Sequence, residues 1–288
     1  MRALVFGASG QIGTPLLARL RAARWEVDAV SRGARADAPG LRWLRGDLAH
    51  CDGLPAAVDA IFSCGPLDHF SRWYATCRID AARVVAFGST SATAKAASGD
   101  AHERDLARRL REGEEGVFAA ARARGAAATL LRPTLVYGAG RDRTLARIAG
   151  FARRRRWMVL PSVATGLRQP VHVDDLAEAA MRACEAPASH GRGYDLPGGE
   201  TLPYREMVAR MLAAMRPPAR LLELPAPWFA AALAGARWLG KAEGIGDAAI
   251  GRLREDLVFD AGPAARDFGY APRRFDPVAA AVAARDGD

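Results

Sequence analysis

Residues 7–13 read Gly7-Ala8-Ser9-Gly10-Gln11-Ile12-Gly13, and the spacing of the three glycines is a chemical statement. A glycine at 7 permits a tight turn. One at 10 lets backbone N–H groups approach a pyrophosphate, and one at 13 lets a helix pack closely on the preceding strand. Ser9, Gln11 and Ile12 fill the same loop and join the expected cofactor contacts. Downstream, Ser31-Arg32 stands at the end of an apolar run, where an acidic residue would hold a ribose 2′-hydroxyl and a serine with an arginine would hold a 2′-phosphate. Arg35 is close behind, and Asp28 is the acid if the strand register is shifted. Asp47, in Arg45-Gly46-Asp47-Leu48, can accept from an adenine amino group or can cap a helix. These residues imply a nicotinamide dinucleotide, NADP(H) ahead of NAD(H).

Elements must hold those residues in place. Short apolar runs at 3–6, 27–30, 41–44, 60–63, 83–87 and 129–131 read as strands. Helical spacing covers 11–24 and 102–124, where Leu106, Leu110, Val117 and Ala121 form an apolar stripe. Strands alternating with helices imply an α/β fold, a Rossmann-type doubly wound parallel sheet with helices on both faces. The expected organisation is a dinucleotide domain over 1–142, joined by 168–196. A smaller, partly interleaved C-terminal substrate lobe takes 143–167 and 197–288, with helices at 143–153, 174–186, 203–215 and 226–240.

Composition narrows the classes. The 288 residues carry a formal charge of +9, and half of them are apolar. The basic residues are almost all arginine, with Lys95 and Lys241 the two lysines. The dense cluster Arg153–Arg156 has no interleaved aromatic residue before Trp157, so it reads as a solvated face or an anion site and not as a nucleic-acid surface. The longest apolar run, 226–236, is too short to span a bilayer, so no integral membrane segment is expected. Cys51, Cys64, Cys77 and Cys184 form no metal-ligand pattern and read as buried thiols in a reducing compartment. With Arg2 leading straight into a strand, no signal peptide is read, and a cytoplasmic location is the expectation.

The segments GASGQIG (7–13), GDL (46–48), FGSTS (87–91), LRPTLVYG (131–138) and RQPVHVDDLAEAA (168–180) together resemble the short-chain dehydrogenase/reductases. The likeness is to their extended or atypical branch, with the nucleotide-sugar epimerases and dehydratases. The resemblance implies an NAD(P)-dependent oxidoreductase or epimerase that moves hydride to or from a small carbonyl or hydroxyl substrate, a sugar nucleotide as first choice. It makes Thr90 the hydroxyl on the reacting oxygen, with Ser89 and Ser91 as alternatives, and puts Pro133 beside the nicotinamide. His172 and Asp174 touch substrate or cap a helix. Arg141, Arg143 and Arg168 are candidates for substrate phosphates. A homodimer is compatible with this fold.

One part of that family's machinery is missing. Its tyrosine and lysine, one helical turn apart, should lie on 102–124, yet no tyrosine occurs between Tyr74 and Tyr137, and Lys95 is the one lysine there. Spacing back from Glu114 and Glu115 puts Ala107 and Arg111 at the two positions. Arg111 can bind ribose hydroxyls but stays protonated and cannot shuttle a proton. Lys95, Tyr137 and His172 are the substitutes, with Thr90, Lys95 and Tyr137 the expected catalytic set. Two other readings stand beside the enzyme: a non-catalytic NADPH-binding sensor or scaffold, and an interfacial role for the Trp-rich segment 227–239.

Overall fold

The computed structural model describes residues 1–138, 143–238 and 251–277. In chain order the elements are β1 (Arg2–Phe6), α1 (Gly13–Ala22), β2 (Glu26–Ser31), β3 (Leu41–Arg45), β4 (Ala57–Ser63), α2 (Leu67–Thr76), β5 (Asp80–Phe87), α3 (Ser91–Ala94), α4 (Ala101–Ala123), β6 (Ala127–Pro133) and β7 (Val136–Tyr137). They continue with α5 (Arg143–Arg155), β8 (Trp157–Pro161), β9 (Leu167–Arg168), β10 (Val171–His172), α6 (Val173–Glu185), β11 (Arg192–Leu196), β12 (Leu202–Pro203), α7 (Tyr204–Ala214), β13 (Arg220–Leu224), α8 (Ala226–Trp238) and α9 (Gly262–Phe268).

The central sheet has seven strands in the order β11-β6-β5-β4-β1-β2-β3, all parallel. Parallel strands are covered on both faces and so read as unbroken apolar runs. β1 shows this, with Ala3, Leu4, Val5 and Phe6 at most 1% exposed. Leu4, Phe6, Ile61, Val84 and Leu130 share one core with Phe70 and Tyr74 of α2 and Val117 and Ala121 of α4. Full burial of each such side chain contributes on the order of 2 kcal/mol. The chain order reverses between β1 and β4, and the crevice outside the carboxyl ends of such strands is where ligands of open α/β sheets bind.

Two compact units divide the chain. The first takes 1–134, 171–197 and 259–273, and so includes the whole sheet; the second takes 135–170, 198–258 and 274–288. The second has its own core of Tyr137, Ile148, Leu160, Leu202, Met207, Met211, Leu212 and Phe275.

Two features depart from the sequence reading. Helix α2 was not expected, although Leu67, Phe70, Ser71 and Tyr74 are buried at helical spacing. The buried stripe of α4 is also rotated: Glu103, Ala107, Glu114, Val117 and Ala121 face inward, and Leu106 and Leu110 are half-buried. The two carboxylates turn in because each meets a cation beneath the helix.

Candidate functional site

The carboxyl ends of β1 and β4 lie side by side, Phe6 paired with Ser63. Gly7 turns the chain there at φ +68°, a conformation that L side chains rarely adopt. A Cβ at Gly7 would lie 2.8 Å from the Cys64 carbonyl carbon, and one at Gly13 would lie 2.2 Å from the Gly7 oxygen. The loop is therefore drawn tight between two strands and the start of α1. Helix α1 starts from this loop, and a helix N-terminus beside a glycine turn is the arrangement that receives a pyrophosphate. Two polar atoms at this edge, Gln11 Oε1 and Ser63 Oγ, are buried with no hydrogen-bond partner among the described residues. Buried polar atoms are ordinarily satisfied, so a pair of orphans beside a glycine cradle fits a polar ligand. Ser63 was not singled out from the sequence; its signal was a serine closing an apolar strand.

At the end of β2, Ser31 is buried and its Oγ lies 3.5 Å from the Ser9 Oγ. Arg32 is exposed, and Arg45 pairs with Ser31 across the strand register. Asp28 is 2% exposed inside the sheet, bound to the guanidinium groups of Arg2 at 2.8 Å and Arg42 at 2.6 Å. It is thus a structural acid and not a ribose ligand. The Asp47 Oδ1 accepts from the backbone N–H groups of Ala49 at 2.8 Å and His50 at 3.2 Å. Those bonds, with the nearby Arg32 charge, hold its carboxyl below the usual carboxylate range. The Asp47 side chain is exposed. Leu48 is half-buried, packed on the core.

A second cluster stands at the end of β5 and β6. Thr90 is buried, and both its backbone N–H and its Oγ1 donate to the Pro133 carbonyl at 3.2 Å. Its hydroxyl proton is therefore used, and its oxygen is left as an acceptor. Ser89 is the reverse: its Oγ accepts from the Ser91 N–H at 3.2 Å, and its own proton enters no hydrogen bond among the described residues. Ser91 opens α3 and is half-buried. Lys95 caps the other end of α3, and its Nζ lies 3.2 Å from Glu103 Oε1. Glu103 Oε2 accepts from Ser98 Oγ at 2.8 Å. The carboxylate is almost fully covered, so the ammonium closes the loop onto α4. Thr90, Ser89, Lys95 and Pro133 are thus brought together by one backbone knot.

That knot is braced by an ion pair the sequence did not reveal. Arg132 Nε and Nη2 donate to the two oxygens of Glu114 at 2.8 and 2.6 Å, and Asp195 of β11 lies 3.6 Å from Arg132. Burial raises the Asp195 carboxyl's pKa, and the hydrogen bonds that Arg132 donates to Glu114 raise that of the guanidinium. The bidentate pair ties α4 to β6 one residue before Pro133.

Other expected residues have different duties. Ala107, at the tyrosine position, is fully buried, and Arg111, at the lysine position, is exposed. The helix therefore presents no acid–base group at either place. Tyr137 is buried in the core of the second unit, its ring edge-on to Phe275 at 4.9 Å and its hydroxyl accepting from the Asp276 N–H at 3.2 Å. That burial gives it a packing role in the core of the second unit. Arg168, expected to meet substrate, is buried and donates to the backbone carbonyls of Leu167, Arg252 and Glu255. It is a carbonyl clamp, two of whose three partners lie more than eighty residues along the chain. His172 caps α6, its Nδ1 accepting from the Asp174 N–H at 3.2 Å. Burial holds its pKa below the usual histidine value, as does the Arg273 charge. A neutral ring is what an accepting cap needs. Arg141 lies outside the described residues. The Cys64 thiol is pushed up to about 12 by burial, so it is no nucleophile.

Comparison with known proteins adds to this geometry. Residues 72–196 match the family described as NAD dependent epimerase/dehydratase. A 2-alkyl-3-oxoalkanoate reductase from Stenotrophomonas maltophilia (strain K279a) is 26% identical over 95% of each chain. Among solved structures, the epimerase Mth375 of Methanothermobacter thermautotrophicus superposes with a TM-score of 0.71 at 14% identity, over 99% of this chain and 91% of that one. A UDP-glucuronic acid 4-epimerase from Bacillus cereus, in complex with UDP-glucuronic acid and NAD, gives 0.68 at 14%, over 99% and 98%. At these identities the structural likeness shows a shared fold.

Proposed function

We propose that this chain is an enzyme of the NAD dependent epimerase/dehydratase type, a reading the match over 72–196 supports, and that it carries out NADP(H)-dependent hydride transfer to or from a small carbonyl or hydroxyl compound. The observation that carries the proposal is the cradle at 7–13, closed by backbone on two sides and edged by the orphaned Gln11 oxygen. When bound there, a nicotinamide dinucleotide supplies the hydride. The chain's part is to hold it and to manage the substrate oxygen. Gly10 and the start of α1 receive the pyrophosphate, and Asp47 takes the adenine amino group.

NADP(H) is preferred over NAD(H) because the end of β2 carries no free carboxylate. Asp28 is consumed inside the sheet, and Asp37 accepts from the Trp43 N–H at 2.7 Å. Ser31, Arg32 and Arg45 remain, a set that hydrogen-bonds and neutralises a 2′-phosphate.

With no tyrosine or lysine on α4, proton management falls to the knot after β5. The Ser89 hydroxyl donates to the substrate oxygen while the Thr90 oxygen accepts from a substrate hydroxyl. Lys95, held by Glu103, is the proton source. A positioned general acid contributes about 10²- to 10⁴-fold. Lys95→Met is therefore expected to lower kcat about a hundredfold while leaving the Kd for NADPH unchanged. A 3-oxoalkanoate and a UDP-sugar are the substrates to assay, after the names of the relatives. Unchanged turnover in Lys95→Met would remove Lys95 from the chemistry. No turnover of any carbonyl by a protein that binds NADPH would favour the sensor reading, which the vacant dyad positions support.

A further inference from the structure

The second unit carries a surface that the proposed chemistry does not use. Helix α5 ends in Arg153, Arg154 and Arg155, Arg156 follows, and all four are exposed. Phe151 and Trp157, on either side of that run, are 42% and 38% exposed, with their rings edge to face at 6.1 Å. The Arg155 guanidinium lies over both, 4.9 Å from the Phe151 ring and 5.9 Å from the Trp157 ring. Strand β13 extends the patch: the Arg220 N–H donates to the Arg156 carbonyl at 3.0 Å, and Arg220 pairs with Trp157 in register. Leu222 on that strand is 46% exposed.

Helix α8 follows two residues after β13. Its sequence APWFAAALAGARW is apolar but for one arginine, and no residue from Ala226 to Gly235 is fully buried. Trp228 is 71% exposed. A helix that is apolar all round is ordinarily covered.

Charge selects the occupant. Between Arg143 and Pro161 the sequence holds six arginines and no carboxylate. Glu223, the one acid between Arg216 and Trp238, reaches toward Arg205 at 3.5 Å. A second copy meeting this face across a two-fold axis would set four arginines against four, an unfavourable juxtaposition. A nucleic acid would use the arginines and the rings but leave α8 and Leu222 in water. A lipid surface uses all of them. Anionic head groups pair with guanidinium, tryptophan rings settle at the head-group level, and an apolar helix lies in the boundary.

We propose that this face of the second unit docks on an anionic bilayer surface, with Arg153–Arg156 on the head groups and Trp157, Trp228 and Leu222 in the interface. The test is co-sedimentation of the full chain with equimolar phosphatidylcholine–phosphatidylglycerol vesicles and with phosphatidylcholine alone. The mixed vesicles are expected to bind and the neutral ones to bind weakly. The triple variant R153Q/R154Q/R155Q should bind about a hundredfold more weakly, on the order of fivefold for each arginine. The pair W157A/W228A should lose about tenfold or more. Unchanged NADPH binding in both variants shows that they are folded. Failure of the mixed vesicles to bind the natural chain would overturn the proposal. So would arginine-dependent binding that the tryptophan pair leaves intact and that single-stranded RNA competes away, which identifies a nucleic-acid surface instead.

Discussion

Gly13→Ala is expected to weaken NADPH binding by at least about a hundredfold, which is on the order of 3 kcal/mol, and to lower the melting temperature. The added methyl would sit 2.2 Å from the Gly7 oxygen, 2.7 Å from the Ala8 Cα and 2.7 Å from the Ala8 oxygen. All three are backbone atoms, so no side chain can swing aside. Either the loop moves off the strand end or α1 retreats, and both moves carry the loop and the helix N-terminus away from the pyrophosphate position. Overpacking of this kind costs about 1–3 kcal/mol in stability even without a ligand. Calorimetric titration with NADPH and a thermal melt read the two effects separately. Full affinity in the variant would mean that the dinucleotide does not sit on this loop.

Glu114→Ala is expected to cost about 3 kcal/mol of stability, a fall on the order of 10 °C in Tm for a chain of this size. The substitution strands the Arg132 guanidinium, three-quarters buried, with Asp195 at 3.6 Å as its remaining carboxylate. It also loosens α4 from β6 at the residue before Pro133, whose carbonyl holds Thr90. Turnover should therefore fall along with the melting temperature. A melt within a degree or two of the natural protein would show that the pair is a surface ornament and that the knot is braced elsewhere.

The sheet was legible because its signals are local. Apolar runs such as Ala3–Phe6 must be covered on both faces, and a glycine loop followed by helical spacing fixes strand, turn and helix in one stretch of sequence. Helix α4 was placed within a residue at each end for the same reason, with Asp100 capping its start through the N–H groups of His102 and Glu103. The face it buries was not legible. Glu103 and Glu114 look like solvent residues until Lys95 and Arg132 are seen beneath them, and those partners are set by tertiary packing. The carbonyl contacts of Arg168 were illegible for a related reason, since they belong to residues more than eighty positions later, Leu167 aside. The missing tyrosine and lysine, by contrast, were plain from residue types alone.

The most direct test of the dinucleotide site is a fluorescence titration of the purified chain with NADPH and with NADH, repeated on Arg32→Ala. NADPH is expected to bind about tenfold or more tightly than NADH, in line with one charge-assisted contact to the 2′-phosphate. Arg32→Ala should remove most of that preference while leaving NADH binding as it was. Equal affinity for the two in the natural protein would contradict the reading of the β2 terminus, and binding of neither would contradict the dinucleotide site itself.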